Sequence, residues 1–163
     1  MKEIRLTKGY VALVDDEDFD QVSAFRWSAQ KNRNSDTYYA VRTDRTSGKR
    51  TVLMHRFLLH AQNSVEVDHI NGNGLDCRRV NLRLATHSEN QRNAARRSDN
   101  TSGFKGVTWN KQISKWRAYI KVDGDQVHLG YFTSKAAARN AYDEAAIRHF
   151  GEFARTNKEQ TCK

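Results

Sequence analysis

The chain has 163 residues, enough for one ordinary domain or two to three small ones, and its 28 Lys and Arg against 19 Asp and Glu give a net charge of +9. That balance, with a pI near 9.8, suits a polyanionic partner, and the excess is spread along the chain rather than held in one tail. Absence of proline argues against a long disordered linker, Cys77 and Cys162 are too few for a four-ligand zinc site or a disulfide framework, and the charged start Met1-Lys2-Glu3-Ile4-Arg5 predicts neither signal peptide nor membrane span, hence a cytoplasmic protein.

Residues 1–60 read as β-rich. Strands are predicted at Ile4 to Leu6, Tyr10 to Val14, Thr37 to Arg42 and Thr51 to Arg56, with a short helix from Asp15 to Phe25 whose opening acids cap it. His55 and His60 lie five residues apart, which on a helix turns them in different directions, so packing or phosphate contact suits them better than shared metal binding.

The next stretch carries the chemistry. Val65 to His69 reads as a strand ending in Asp68-His69, Gly72 and Gly74 permit a turn, Asn81 to Leu84 returns as a second strand, and Thr86-x-x-Glu89 is a capping box opening a helix that holds Asn90. Hydrolysis of a phosphodiester needs a base to deprotonate water and a divalent cation to neutralise charge on the phosphate. A histidine near neutrality is largely unprotonated, which makes His69 the candidate base. A hard ion takes oxygen ligands and keeps several waters, which makes Asp68 and Asn90 candidate ligands for one Mg²⁺ or Mn²⁺. Neighbours in a strand point to opposite faces, so Asp68 and His69 can both serve only if the strand ends there, as the Asn-Gly-Asn-Gly that follows suggests.

These residues resemble the HNH nucleases, in particular the phage and intron homing enzymes whose motif reads Asp-His-x-x-Gly-Asn, then Asn-Leu, then a helix with Asn or His. The resemblance implies a ββα-metal (His-Me finger) unit in which His69 is the base, Asn81 braces it, and Asp68 and Asn90 hold the metal. Many relatives use histidine as the final ligand, so His87 is a reserve candidate, although spacing favours Asn90. The segment before the motif resembles that of phage relatives, where a histidine-arginine pair leads into a helix; His55-Arg56 fits, with Arg56 a candidate phosphate contact. The same resemblance implies a bacterial or phage-infected host cytoplasm.

Arg96 to Gly103 is the predicted junction, giving a domain over 1–97, with a β-rich segment over 1–60 and a metal core over 61–97, and a second domain over 98–163. From Phe104 three strands are predicted, the middle one, Lys115 to Val122, alternating strictly, with a hairpin turn at Asp123-Gly124 and a return over Gln126 to Leu129. Thr133-Ser134 then opens an alanine-rich helix to about Phe150, closed by Gly151, whose Ala137, Ala141 and Ala145 let it lie close to the sheet. Trp109 and Trp116 are expected to lean toward the core. The run Lys105-Gly106-Val107, Lys115-Trp116-x-Ala118-x-Ile120, Val127-x-Leu129-Gly130-x-Phe132, Tyr142-Asp143 and Asn157 resembles the Apetala-type, ethylene-response-factor DNA-binding domain, whose sheet lies in the major groove.

Carried over by position, DNA contacts fall on Lys105, Thr108, Asn110, Tyr119, Lys121, Gln126 and His128, with Arg117 on the same face. Plant members use mostly Arg and Trp there, so their GC-rich target is not expected to transfer. The fold class expected is therefore α+β: a β-rich segment leading into a ββα-metal unit, then a three-stranded antiparallel sheet on one helix. The function expected is a metal-dependent DNA endonuclease acting on double-stranded DNA as a monomer or homodimer, with a non-catalytic DNA-binding regulator as the alternative.

Overall fold

A computed structural model of the chain describes residues 1–33, 36–46, 48–96 and 99–160, the side chains of 159 and 160 excepted, so that Cys162 lies outside the described residues. It forms two compact units, Met1–Asn90 and Gln91–Lys163. The division falls upstream of the polar stretch Arg96 to Gly103, where composition places it.

In the first unit β1 (Lys2–Arg5) and β2 (Val11–Val14) form an antiparallel hairpin across a turn in which Lys8 and Gly9 take positive φ. A 3-10 turn at Asp16–Asp18 leads into α1 (Phe19–Ser23), a helix shorter than expected, and its acids do not cap it. Instead Asp15 accepts the Arg79 backbone N–H at 2.7 Å and Asp18 accepts the Arg79 guanidinium in two bonds of 2.8 Å. The acid run thus anchors the loop behind the motif to the start of the chain.

β3 (Ser28–Lys31), β4 (Tyr38–Asp44) and β5 (Arg50–Leu53) make an antiparallel sheet in the order β3-β4-β5. The predicted strand over Thr51 to Arg56 gives way after Leu53 to α2 (Met54–Leu58), which places Met54 and Leu58 in a core with Val14, Val22, Trp27, Ala40, Val67 and Leu82. Burial decides here: Met54 and Leu58, one helical turn apart, are both fully covered.

β6 (Glu66–His69) pairs antiparallel with β7 (Leu82–Ala85), opposing Asp68 to Arg83 and His69 to Leu82, and α3 (His87–Asn93) follows. The capping box forms as expected, with the Thr86 N–H donating to the Glu89 carboxylate at 2.8 Å and the Glu89 N–H to the Thr86 hydroxyl at 3.3 Å.

The second unit is a sheet in the order β10-β9-β8, from β8 (Val107–Asn110), β9 (Lys115–Val122) and β10 (Asp125–Phe132), covered on one face by α4 (Lys135–Phe150). Ser134 caps α4 by accepting the Ala137 N–H. Ala138, Tyr142, Ala145, Ala146 and Phe150 are buried, whereas Ile147 is 58% exposed. Gly106 sits at φ 71°, where a Cβ would lie 2.0 Å from the Tyr142 ring, so only glycine admits this approach of sheet to helix. The closing turn α5 (Asn157–Gln160) is tied in by Asn157, which is 2% exposed, accepts the Lys105 N–H at 2.7 Å and donates to Asp143 at 2.9 Å.

Candidate active site

Strand alternation sorts the motif into two faces. Glu66 and Asp68 point one way, Val67 and His69 the other. Val67 enters the core, and His69, 6% exposed, meets His55 edge-on at 4.8 Å between ring centroids and Tyr39 at 5.7 Å. Burial drives the His69 pKa down to about 4, against the pull of the Asp68 and Asp76 charges, and drives His55 down to about 3. Both rings are therefore neutral at pH 7, the form in which an imidazole accepts a proton. The strand does end at His69, with the Gly72 N–H donating to the His69 carbonyl at 2.8 Å, but the ring stays on the covered side, with Tyr39 and His55.

Asn81 acts one step away from the imidazole. Its oxygen accepts the Asn71 N–H at 2.9 Å and its nitrogen donates to the Asp76 carbonyl at 2.8 Å, so it fixes the loop that leaves His69. Asp76 is held in turn by Asn71 and by two bonds from Arg78 of 2.7 and 2.6 Å.

On the other face, Asp68 accepts two bonds from the Arg83 guanidinium, at 2.8 and 2.6 Å, in a pair whose side chains are 5% and 11% exposed. Glu66 binds His87 Nδ1 at 2.7 Å through one oxygen and the Asn90 amide nitrogen through the other, and these bonds hold its carboxyl below the usual range. Asp68 thus pairs with Arg83 and Asn90 with Glu66, interactions that the sequence did not announce. Glu66 and Arg83 are the residues that sequence reasoning missed. The only available signal was position: Glu66 is two residues before Asp68 in the strand, and Arg83 is its partner once the register is known.

Among the described residues no group of three or more His, Cys, Asp or Glu is gathered as a ready metal site. In donor type the motif residues suit a hard divalent ion, since the carboxylates of Glu66 and Asp68 share one face of β6 and the Asn90 bond to Glu66 uses the amide nitrogen rather than the oxygen that would ligate. Arg83 places a positive charge against Asp68.

Arg56 donates to the carbonyls of Val65 at 2.7 Å, Gln62 at 2.6 Å and Ala61 at 3.3 Å, so its guanidinium ties α2 to the approach to β6 rather than offering itself to phosphate. In the second unit Thr108, Arg117, Tyr119, Lys121, Gln126 and His128 do share the face away from α4, because Thr108 opposes Arg117, His128 opposes Tyr119 and Gln126 opposes Lys121. Lys115 and Tyr131 belong to the same face and were missed. Lys105 does not join them: its ammonium donates to the Arg92 and Ala94 carbonyls at 2.8 and 2.9 Å, and burial lowers its pKa to about 8. Asn110, which opposes Lys115 and so lies on that face, accepts the Gln112 and Ile113 N–H groups in a turn. Trp116 packs on the helix side as expected, but Trp109, edge-on to it at 5.0 Å, is 46% exposed.

Residues 62–92, the span of this motif, match the HNH endonuclease family. A protein of Acanthamoeba polyphaga mimivirus named an uncharacterized HNH endonuclease is 29% identical over 157 residues, 93% of this chain and 76% of the relative. Protein 3.8 of Escherichia phage T7 is 43% identical over 60 residues, 37% of this chain, and APETALA2-like protein 2 of Oryza sativa is 41% identical over 51 residues, 31% of this chain. The chain spans 50% of the length of the phage protein and 12% of the rice protein. No solved structure matches it. Among the described residues no helix is long and apolar enough to cross a membrane. The chain therefore carries an HNH-type segment, and its viral relatives support a nuclease.

Proposed function

We propose that the protein is a metal-dependent DNA endonuclease, directed to its target by the outer face of the C-terminal sheet. The observation that carries this reading is the HNH-matched segment folded as β6, β7 and α3, with oxygen donors on one face of β6 and a neutral, buried imidazole at its end. In this reading Asp68 and Asn90 hold one Mg²⁺ or Mn²⁺, with Glu66 beside them and His87 in reserve. The bound ion supplies Lewis-acid stabilisation of charge on the phosphate and the leaving oxygen. His69 accepts the proton of the attacking water, whose oxygen bonds to phosphorus as the bond to the leaving oxygen breaks. Asn81 positions the loop behind His69. Thr108, Arg117, Tyr119, Lys121, Gln126 and His128 contact duplex DNA, with phosphate bonds from the cations and base-edge contacts from the amide and hydroxyl. One site per chain makes nicking the expected event.

A second reading, a DNA-binding regulator on a nuclease scaffold, is favoured by one observation: Asp68 is buried with Arg83, and His69 points away from it. Supercoiled plasmid separates the two. The endonuclease converts it to the relaxed form in Mg²⁺ and stops on addition of chelator, whereas a regulator retards the plasmid and leaves its topology intact.

A further inference from the structure

Outside the HNH-matched segment, the first unit holds a concave surface of about 570 Å³ over the β3-β4-β5 sheet. Arg26, Arg42 and Arg45 line it with Ser28, Gln30 and Thr43, and among the described residues no carboxylate takes part. The register explains the small polar part of the lining, whereas Arg42, between Val41 and Thr43, starts from the opposite face of β4. Ser28 opposes Val41 and Thr43 opposes Thr51, so these side chains rise from the same sheet face. Asp44 turns away, buried and bound to Thr46 and Arg50, and leaves the field of the groove positive. Arg42 is held by its stack over Phe25, 4.1 Å from the ring centroid, and its buried Nε has no hydrogen-bond partner among the described residues.

The face has a second property. Alternation along β4 puts Tyr39 on the same side as Val41 and Thr43, and Tyr39 is the residue whose ring meets His55 at 5.4 Å and His69 at 5.7 Å. At about 3.3 Å per strand residue, Thr43 lies about 13 Å along β4 from Tyr39. That distance is about four nucleotides at about 3.4 Å of rise per nucleotide.

We propose that this groove is a track for the phosphodiester backbone of duplex DNA leading away from His69, with Arg26 and Arg45 as its phosphate contacts and the hydroxyls and amide of Ser28, Thr43, Thr51 and Gln30 as neutral donors. The inference rests on the endonuclease reading. Guanidinium forks with small donors are the groups that hold phosphate oxygens. Among the described residues no aromatic ring lines the groove, so they offer no platform on which single-stranded bases stack, and a duplex backbone is the occupant this chemistry fits.

Arg26 and Arg45 are exposed, so their replacement leaves the core intact. The test is duplex binding by fluorescence anisotropy across about 50 to 200 mM salt, with chelator present, for the whole chain and for the Arg26→Gln/Arg45→Gln variant. Loss of two phosphate contacts makes the log–log salt slope shallower by about 1.8, and affinity at the lowest salt falls at least several-fold. The Arg26→Lys/Arg45→Lys chain, with both charges retained, keeps most of the slope. An unchanged slope and affinity in the glutamine variant, while the parent chain binds and nicks DNA, overturns the track alone. Tighter binding of single strands or of an acidic peptide than of duplex by the parent chain, lost in the glutamine variant, overturns the choice of occupant. A parent chain that neither binds nor cuts duplex overturns the track and the endonuclease reading together.

Discussion

The buried carboxylate of Asp68 is neutralised by Arg83 across the strand pair that the register creates. Removing one member of a buried ion pair leaves the other uncompensated, so Arg83→Ala should lower stability by about 3 kcal/mol in metal-free solution. If Asp68 is a metal ligand, Mn²⁺ should then recover much of that loss and raise the variant's melting temperature more than the parent's. Equal shifts for the two chains would remove Asp68 from the ligand set.

His55 makes a second prediction at this scale. The unfolded chain protonates it near pH 6.5, while the folded chain, with its pKa pushed to about 3, does not. Below pH 6.5 the unfolded state therefore holds the extra proton, and stability falls as pH drops from 6.5 toward 3, by up to about 1.4 kcal/mol per pH unit for this one group. His55→Phe removes that contribution and should move the acid-unfolding midpoint, followed by circular dichroism, to lower pH. A midpoint that stays or rises would contradict the burial argument.

Elements differ in how much of them the sequence carries. The strict alternation of Lys115 to Val122, the Ser134 cap and the Thr86-x-x-Glu89 box are local signals, and each appears in the structure as expected. β3 has no such signal, since Ser-Ala-Gln-Lys has neither β-branched residues nor an apolar alternation, and it exists because Ala29 pairs with Ala40 over the core. The pairing of Asp68 with Arg83 depends on register, and the anchoring of Arg56 depends on the path of the loop whose carbonyls it binds, so neither is legible from spacing. Asn157 stands out in the sequence as a closing residue, and the structure supplies its reason: it bridges the start of β8 to α4 through Lys105 and Asp143. Asn157→Ala leaves buried donors and acceptors unmet and should cost the second unit about 2 kcal/mol, readable by denaturant titration.

At the scale of the whole chain, a net charge of +9 accompanies two compact units, with the HNH-matched segment on residues 62–92. The α+β class is readable from pattern, but the side-chain geometry is not. His69 and Asp68 lie on opposite faces of β6, an arrangement that their adjacency in the sequence does not reveal until the strand is known.

The most direct test is single-turnover nicking of supercoiled plasmid in Mg²⁺ by the parent chain, His69→Ala and Asp68→Ala. Loss of the general base should slow cutting by about 10² to 10⁴-fold without weakening DNA binding, and loss of the ligand should shift the metal dependence to higher concentration. Cutting by His69→Ala at the parent rate would contradict the account at its centre.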